Sequence, residues 1–364
     1  MTEINRVYRI EELGDVEGIV LGQEPMPVPG ATEIVVRMRA VSLNKRDLML
    51  LDGTYPMKAR DRVVPLSDGA GEVVAVGERV TRFAVGDRVM GGYWPKWVSG
   101  RIGPEHFDQF GATLDGMLAE HTVMDEQWAV AVPEGLSWAE AAALPCAGLT
   151  AWTSLTGGAP LRPGDTVLTL GTGALSLLAI QFAKLLGLKV IVTTSRAANA
   201  ERLIALGADH VVDYAVDPDW SGRVRELTGG RGADLVVETV GPATIDRSVR
   251  ASALYGQVVV LITRSATSDE LTISSEAYAS SLATIRREFV GNRDQLEEMT
   301  AAVAAHGLRP VIDRVFPFER ARDAYRYYRG GSAFGKVVIE LPGQSERESQ
   351  RPMAVTREST PSFA

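Results

Sequence analysis

The run Leu168-Thr-Leu-Gly171-Thr172-Gly173-Ala174-Leu175-Ser176 carries the strongest chemical signal in the chain. It follows a short apolar run, Thr166-Val-Leu-Thr-Leu170, and opens onto helical spacing from Ala174 to Leu186. Strand, glycine turn and helix in that order make an anion cradle. Gly171 permits the tight turn, Gly173 lets the backbone approach a pyrophosphate, and the helix N-terminus adds unpaired N–H groups and a positive dipole end. Ser176 stands at the third glycine position, small enough for close helix–strand packing. A plain strand-to-helix turn reads the same way in isolation. The further strand–helix alternations that follow favour a dinucleotide site. At the end of the next strand stand Thr193-Thr194-Ser195-Arg196, with no acid where NAD would have its ribose hydroxyls held. The Ser195 hydroxyl and the Arg196 guanidinium suit a 2′-phosphate, so NADPH is expected ahead of NADH. Metal chemistry has few donors to draw on. One cysteine, Cys146, and four scattered histidines, His106, His121, His210 and His306, make a four-ligand Cys/His zinc site a poor fit.

The elements that must position these residues fall into two patterns. Residues 1–130 read as a β-rich unit of short alternating segments, such as Glu33–Arg39 and Glu72–Val76, separated by Gly, Pro and Asp turns. Residues 91–115 interrupt it with an aromatic loop, a length more often functional than idle. Over 131–293 the period changes. Ser137-Trp-Ala-Glu140 is a capping box opening a helix to Leu144, and strands at 166–170, 189–193, 211–214, 234–238 and 257–262 alternate with helices. Such alternation implies right-handed crossovers and a doubly wound parallel sheet, the Rossmann form of α/β fold. Residues 294–341 (helix 295–306, strand 310–316, helix 318–328, strand 336–341) are too few to fold alone and are expected to return to the first unit. Residues 342–364 are polar, Pro/Ser-rich and aperiodic, the composition of a disordered tail.

Composition narrows the function classes. The 364 residues suggest two domains, and 38 Lys and Arg against 46 Asp and Glu leave a formal charge of −8. An acidic chain without a basic cluster is a poor nucleic-acid binder. No apolar run approaches the length of a membrane span, and the first residues lack the apolar core of a signal peptide. A lone cysteine fits a reducing cytoplasm.

The chain resembles the medium-chain dehydrogenase/reductase superfamily, in its zinc-independent alcohol dehydrogenase-like and quinone oxidoreductase-like branch. The resemblance is carried over about residues 15–341 by Ser42-Leu-Asn44-Lys-Arg-Asp47, Asp68-Gly-Ala-Gly-Glu-Val73, Gly86-Asp-Arg-Val89, Leu144-Pro-Cys-Ala-Gly-Leu-Thr-Ala-Trp152, the Gly171 turn, Leu206-Gly-Ala-Asp209, Val311–Pro317 and Phe334-Gly-Lys-Val-Val338. It implies a GroES-like substrate domain built from both chain ends around a Rossmann cofactor domain, with the active site between them, and a homodimer. Where zinc-using members place a Cys and a His-Glu, this chain has Asn44 and Ser67-Asp68, which implies no metal. By the same resemblance Asn44 and Tyr55 line the nicotinamide cleft, with Tyr55 the polar contact or donor to substrate. Thr150 faces the nicotinamide, Tyr214 packs near the adenosine phosphate, and Arg293 stands in place of a family Gly-Ser-Arg arginine. Tyr93, Trp94 and Trp97 wall the substrate pocket, or else form a small surface cluster. Asp47 is expected to be structural and Cys146 simply buried.

Some positions depart from the family pattern. Ala174-Leu175 replaces Gly-Val in the phosphate turn, Asn199 stands where a lysine is usual, and Arg196 replaces a small polar residue. Without zinc, charge developing on a reduced carbonyl must be met by hydrogen-bond donors or spread through the substrate. The resemblance therefore implies NADPH-dependent hydride transfer to a quinone, an enone or another conjugated carbonyl. A zinc-independent alcohol or aldehyde dehydrogenase, a redox-silent dinucleotide binder and a non-redox use of the same cleft are the alternatives.

Overall fold

Thr166–Leu170 is buried along its whole length, because neighbours cover both its faces. In the computed structural model of the protein, which describes residues 4–264, 268 and 270–341, it lies inside a six-stranded sheet. The strand order is His210–Asp213, Lys189–Thr194, Thr166–Leu170, Ala233–Glu238, Ser252–Val260 and Thr284–Arg287. Every pairing is parallel, and by first appearance the order is 3-2-1-4-5-6, that of a Rossmann domain. Side-chain alternation divides the core between the two faces. Val167, Val190, Val192, Leu235, Val237 and Val259 pack with the helix Ala174–Leu185 on one side, while Leu168, Leu170, Ile191, Val236, Val258 and Val260 pack with Val224 and Val249 on the other.

The second sheet draws on both chain ends. Its order is Ile312–Pro317, Lys336–Glu340, Glu33–Ser42, Asp68–Val76, Arg88–Gly91 and Ala129–Ala131, and His121–Asp125 also pairs with Glu33–Ser42. The register matters for the site. Val338 lies opposite Ser42 in one antiparallel pair, and Ser42 lies opposite Asp68 in the next. Continuing the first ladder by two residues sets Lys336 opposite Asn44, and Asp68 begins the strand beside them. The two lobes are joined by the Ser42 hydroxyl donating to Ala142 O at 2.6 Å and by a bridge between Gly173 and Gly335.

Three details differ from the sequence expectation. The capping box does open a helix, Trp138–Ala142, but Leu144-Pro-Cys-Ala-Gly148 is wound as a π-turn and leads into a further helix, Leu149–Thr156. The hairpin Ile4–Ile10/Ile19–Pro25 and the edge strand Thr284–Arg287 were not expected. The tail at 342–364 lies outside the described residues.

Candidate active site

At the strand ends a buried lysine organises the floor of the site. Lys336 is 1% exposed, and its Nζ donates to Leu43 O at 3.0 Å, Asn44 Oδ1 at 2.9 Å and Asp68 Oδ2 at 3.4 Å. Asp68 also accepts the Ser67 hydroxyl at 2.7 Å and the Cys146 N–H at 3.1 Å. The π-turn delivers that N–H, as such turns often do at functional sites. Burial, with Asp68 nearby, pushes the Cys146 thiol up, so it stays protonated and inert, and the residue is half-buried rather than sealed.

Beside this floor stands a second buried cation. Arg46, on the helix Lys45–Leu51, donates to Phe110 O at 2.8 Å and lies 3.5 Å from Asp47. Its guanidinium carbon sits 5.3 Å from the Tyr55 ring centre and 5.5 Å from that of Tyr93, within cation–π range of both. The two tyrosine hydroxyls are 3.1 Å apart, and Tyr55 donates to Gln109 Oε1 at 3.0 Å. Asp47 accepts the Asn44 N–H at 2.7 Å. Burial pushes its carboxyl up to about 6, against the pull of Arg46. The long loop places Tyr93, Trp94 and Trp97 in one cluster with Met57, Cys146, Phe289 and Val290. All three aromatics are 8% exposed or less, so they are not a surface patch. The Trp94 indole N–H donates to Phe289 O at 2.8 Å, tying this wall to the other lobe.

The phosphate turn looks different. Gly171 has φ +76°, and a Cβ built on Gly171 or Gly173 meets nothing within 4 Å. Gly173 caps the helix Ala174–Leu185, and Ala174 and Leu175 form its first turn. Ser176 anchors the turn by donating to Leu170 O at 2.6 Å, while Thr172 Oγ1 accepts from Asn199 at 3.5 Å. Backbone N–H groups at a helix start, beside open space on two glycines, fit a dinucleotide pyrophosphate. Ser195 and Arg196 are exposed at the next strand end. Arg196 donates to the carbonyls of Gly331 and Ser332, both at 3.1 Å, and no carboxylate pairs with it among the described residues. Tyr214 is 42% exposed at the end of the third strand. Thr150 is buried and donates to Cys146 O at 2.7 Å, which places it by the polar floor. Arg293 is turned away from these groups. It starts the helix Arg293–His306, its backbone N–H donates to Trp97 O at 3.0 Å, and its guanidinium engages Gln127.

Two sequence families match the chain. Residues 30–134 match the alcohol dehydrogenase GroES-like domain and residues 206–339 the family described as zinc-binding dehydrogenase. A zinc-type alcohol dehydrogenase-like protein of Schizosaccharomyces pombe is 36% identical over 316 residues, covering 85% of this chain and 91% of that protein. The chain belongs to the medium-chain dehydrogenase/reductase superfamily. Among solved structures, an NAD-dependent alcohol dehydrogenase superposes with TM-score 0.84 at 32% identity, covering 93% of this chain and 100% of that one. A quinone oxidoreductase of Pseudomonas syringae pv. Tomato DC3000 superposes with TM-score 0.77 at 28% identity, covering 92% and 99%. The chain is thus an NAD(P)-dependent oxidoreductase of the superfamily's quinone oxidoreductase-like branch, with a GroES-like and a Rossmann domain.

Zinc does not fit this member's cleft. At the positions of the family's Cys and His-Glu stand Asn44 and Ser67-Asp68; amide and hydroxyl are poor zinc donors, and between Asn44 and Asp68 sits the ammonium of Lys336, whose charge would repel a second cation. Among the described residues no group of three or more His, Cys, Asp and Glu could hold a metal ion. The sequence reading missed Arg46, Gln109, Asp68 as an acceptor and Lys336 altogether. Three of these lie in or beside motifs it used, but lysine and arginine are rarely fully buried, so their types pointed to the surface.

Proposed function

We propose that the protein reduces a conjugated carbonyl compound, a quinone or an enone, at the expense of NADPH. The observation that carries this reading is the tyrosine hydroxyl pair held against the Arg46 guanidinium, a hydrogen-bonding group able to meet charge on a reduced carbonyl without a metal. The bound dinucleotide would supply a hydride. Gly171, Thr172, Gly173, Ala174 and Leu175 would hold its pyrophosphate, Ser195 and Arg196 its 2′-phosphate, and Tyr214 its adenosine end. Thr150 would face the nicotinamide. Arg293 would act through the wall it fastens rather than by direct contact, since Gln127 already engages its guanidinium. Tyr93, Trp94 and Trp97 exclude water from one side of the cleft. Tyr55 is the proton donor to the acceptor's oxygen, and Arg46 stabilises the tyrosinate that forms. Asn44 would line the same cleft with its amide. A cytoplasmic homodimer completes the proposal, joined through the outer edge of Thr284–Arg287, the terminal strand of its sheet.

The test is calorimetric binding of NADPH and NADH to the wild type and to Arg196→Ala, followed by oxidation of NADPH with quinones and enones. Loss of one charged phosphate contact should weaken NADPH about tenfold and leave NADH unchanged. Equal affinity for both cofactors would sink the NADPH preference, and tighter NADH binding would favour NADH, which the name of an NAD-dependent structural relative suggests. Tight binding without turnover of any acceptor would sink the reductase reading.

A further inference from the structure

The Asn44 side chain is divided between two roles. Its Oδ1 accepts from Lys336 Nζ at 2.9 Å, whereas its Nδ2 is buried with no hydrogen-bond partner. An ammonium has donors and no acceptor, so it can face only the oxygen of the amide. The orientation of Asn44 therefore follows from the chemistry of Lys336. The lysine is fixed in turn by Leu43 O and Asp68, and Asp68 is held by Ser67 and the Cys146 N–H. A buried N–H without an acceptor is costly to keep, and Asn44 is only 7% exposed. The group is satisfied once a ligand oxygen arrives.

We propose that Lys336 is a positioning residue: it locks the Asn44 amide so that Nδ2 donates to the carbonyl oxygen of the acceptor. This rests on the hydride-transfer reading above. As hydride from NADPH adds to the acceptor, a π electron pair moves onto that oxygen. The oxygen gains charge against the Asn44 N–H and takes its proton from the Tyr55 hydroxyl. Water then reprotonates the tyrosinate, and NADP+ is released. The lysine charge polarises the amide and makes its N–H a stronger donor. The Asp68 carboxylate balances that charge.

Asn44→Ala, Lys336→Met and Lys336→Arg separate the roles. Steady-state turnover of NADPH with 1,4-benzoquinone and with cyclohex-2-enone should lose about 100-fold in kcat/KM for Asn44→Ala and Lys336→Met, mostly in kcat, because the donor acts on charge formed in the transition state. NADPH affinity should be unchanged. Lys336→Arg should recover part of the loss, since a guanidinium also only donates. Binding of cyclohex-2-enone to the NADP+ complex, read by calorimetry without turnover, should weaken about tenfold at most in Asn44→Ala. Full activity in Asn44→Ala, or in Lys336→Met, would overturn the proposal. So would a matching loss of NADPH affinity, which would put the amide on the nicotinamide carboxamide. Should Lys336→Met fail to fold, Asn44→Ala decides, because it leaves the Lys336–Asp68 pair intact. Should no acceptor turn over in the wild type, the reductase reading fails, and the enone-binding arm still judges the inference: unchanged binding overturns it, weakened binding supports it.

Discussion

The two sides of the cleft are built on opposite terms. On the GroES-like side, Arg46, Asp47, Asp68 and Lys336 are nearly or wholly buried and engage one another or the main chain. On the Rossmann side, Gly171 and Gly173 face open space, and the Arg196 guanidinium meets only main-chain carbonyls among the described residues. One wall holds itself together, with two cations against two carboxylates. The other leaves room and unspent N–H groups for something to be held. A self-supporting polar wall keeps its donors aimed before a ligand arrives, the condition for electrostatic preorganisation. Substitutions on the first side should therefore damage the fold or the chemistry, and those on the second should damage cofactor affinity alone.

The largest expected effect lies on the packed wall. Asp68→Ala leaves the Lys336 ammonium buried without its counter-charge and removes the acceptor of the Cys146 N–H. Breaking a buried pair from one side costs about 3–5 kcal/mol, readable as a lower urea midpoint in the cofactor-free protein. Asp68→Asn should cost less, since an amide oxygen can still accept. A loss below about 1 kcal/mol for the alanine variant, the scale of an exposed pair, would mean that the wall does not depend on its charges.

Next comes the open wall. Gly173 has φ −71°, so a side chain there brings no backbone strain, and its Cβ would meet no protein atom. Gly173→Val should keep the wild-type melting temperature while weakening NADPH binding by at least about 100-fold, because the new methyls occupy the space a pyrophosphate would take. Unchanged calorimetric affinity would move the dinucleotide off this turn. A stability loss would break the contrast itself, by showing the turn to be packed.

The same contrast explains what could be read from the sequence. Strand, glycine turn and helix sit within twenty residues, so the phosphate turn and the alternation around it were legible from spacing alone. The polar floor was not. Lys336 meets Asn44 and Asp68 only through the registers of three strands drawn from opposite chain ends, and no local pattern encodes a register. Burial hides the charges as well, because Lys and Arg read as surface residues. Thr284–Arg287 escaped for a different reason: an edge strand carrying two arginines lacks the apolar alternation of a buried one. Tyr93, Trp94 and Trp97 announced a cluster by composition, while their burial against Phe289 needed both lobes in place.

A smaller effect sharpens the comparison through pH. Burial pushes Asp47 up to about 6, above an ordinary unfolded carboxyl. Between those two values the native state binds the proton and the unfolded chain does not, so stability falls as pH rises through this window. Seen from the other direction, acidification from pH 7 toward 5 should stabilise the fold through this group, by on the order of 1 kcal/mol, out of about 3 kcal/mol over the full window. Ion-paired acids elsewhere pull the opposite way, half-buried Asp246 being held down to about 2 by its hydrogen bonds with Ser274 and Arg250 against the effect of burial, so the wild-type profile alone mixes both. Asp47→Asn isolates the term: an asparagine oxygen can still accept the Asn44 N–H, but nothing at the position titrates. The melting temperature of the wild type, taken relative to that of Asp47→Asn across a pH series, should rise as the pH falls from 7 to 5. A flat difference would mean that Arg46 holds Asp47 ionised throughout, and that this wall keeps both its carboxylates charged as a permanent counterweight to Arg46 and Lys336.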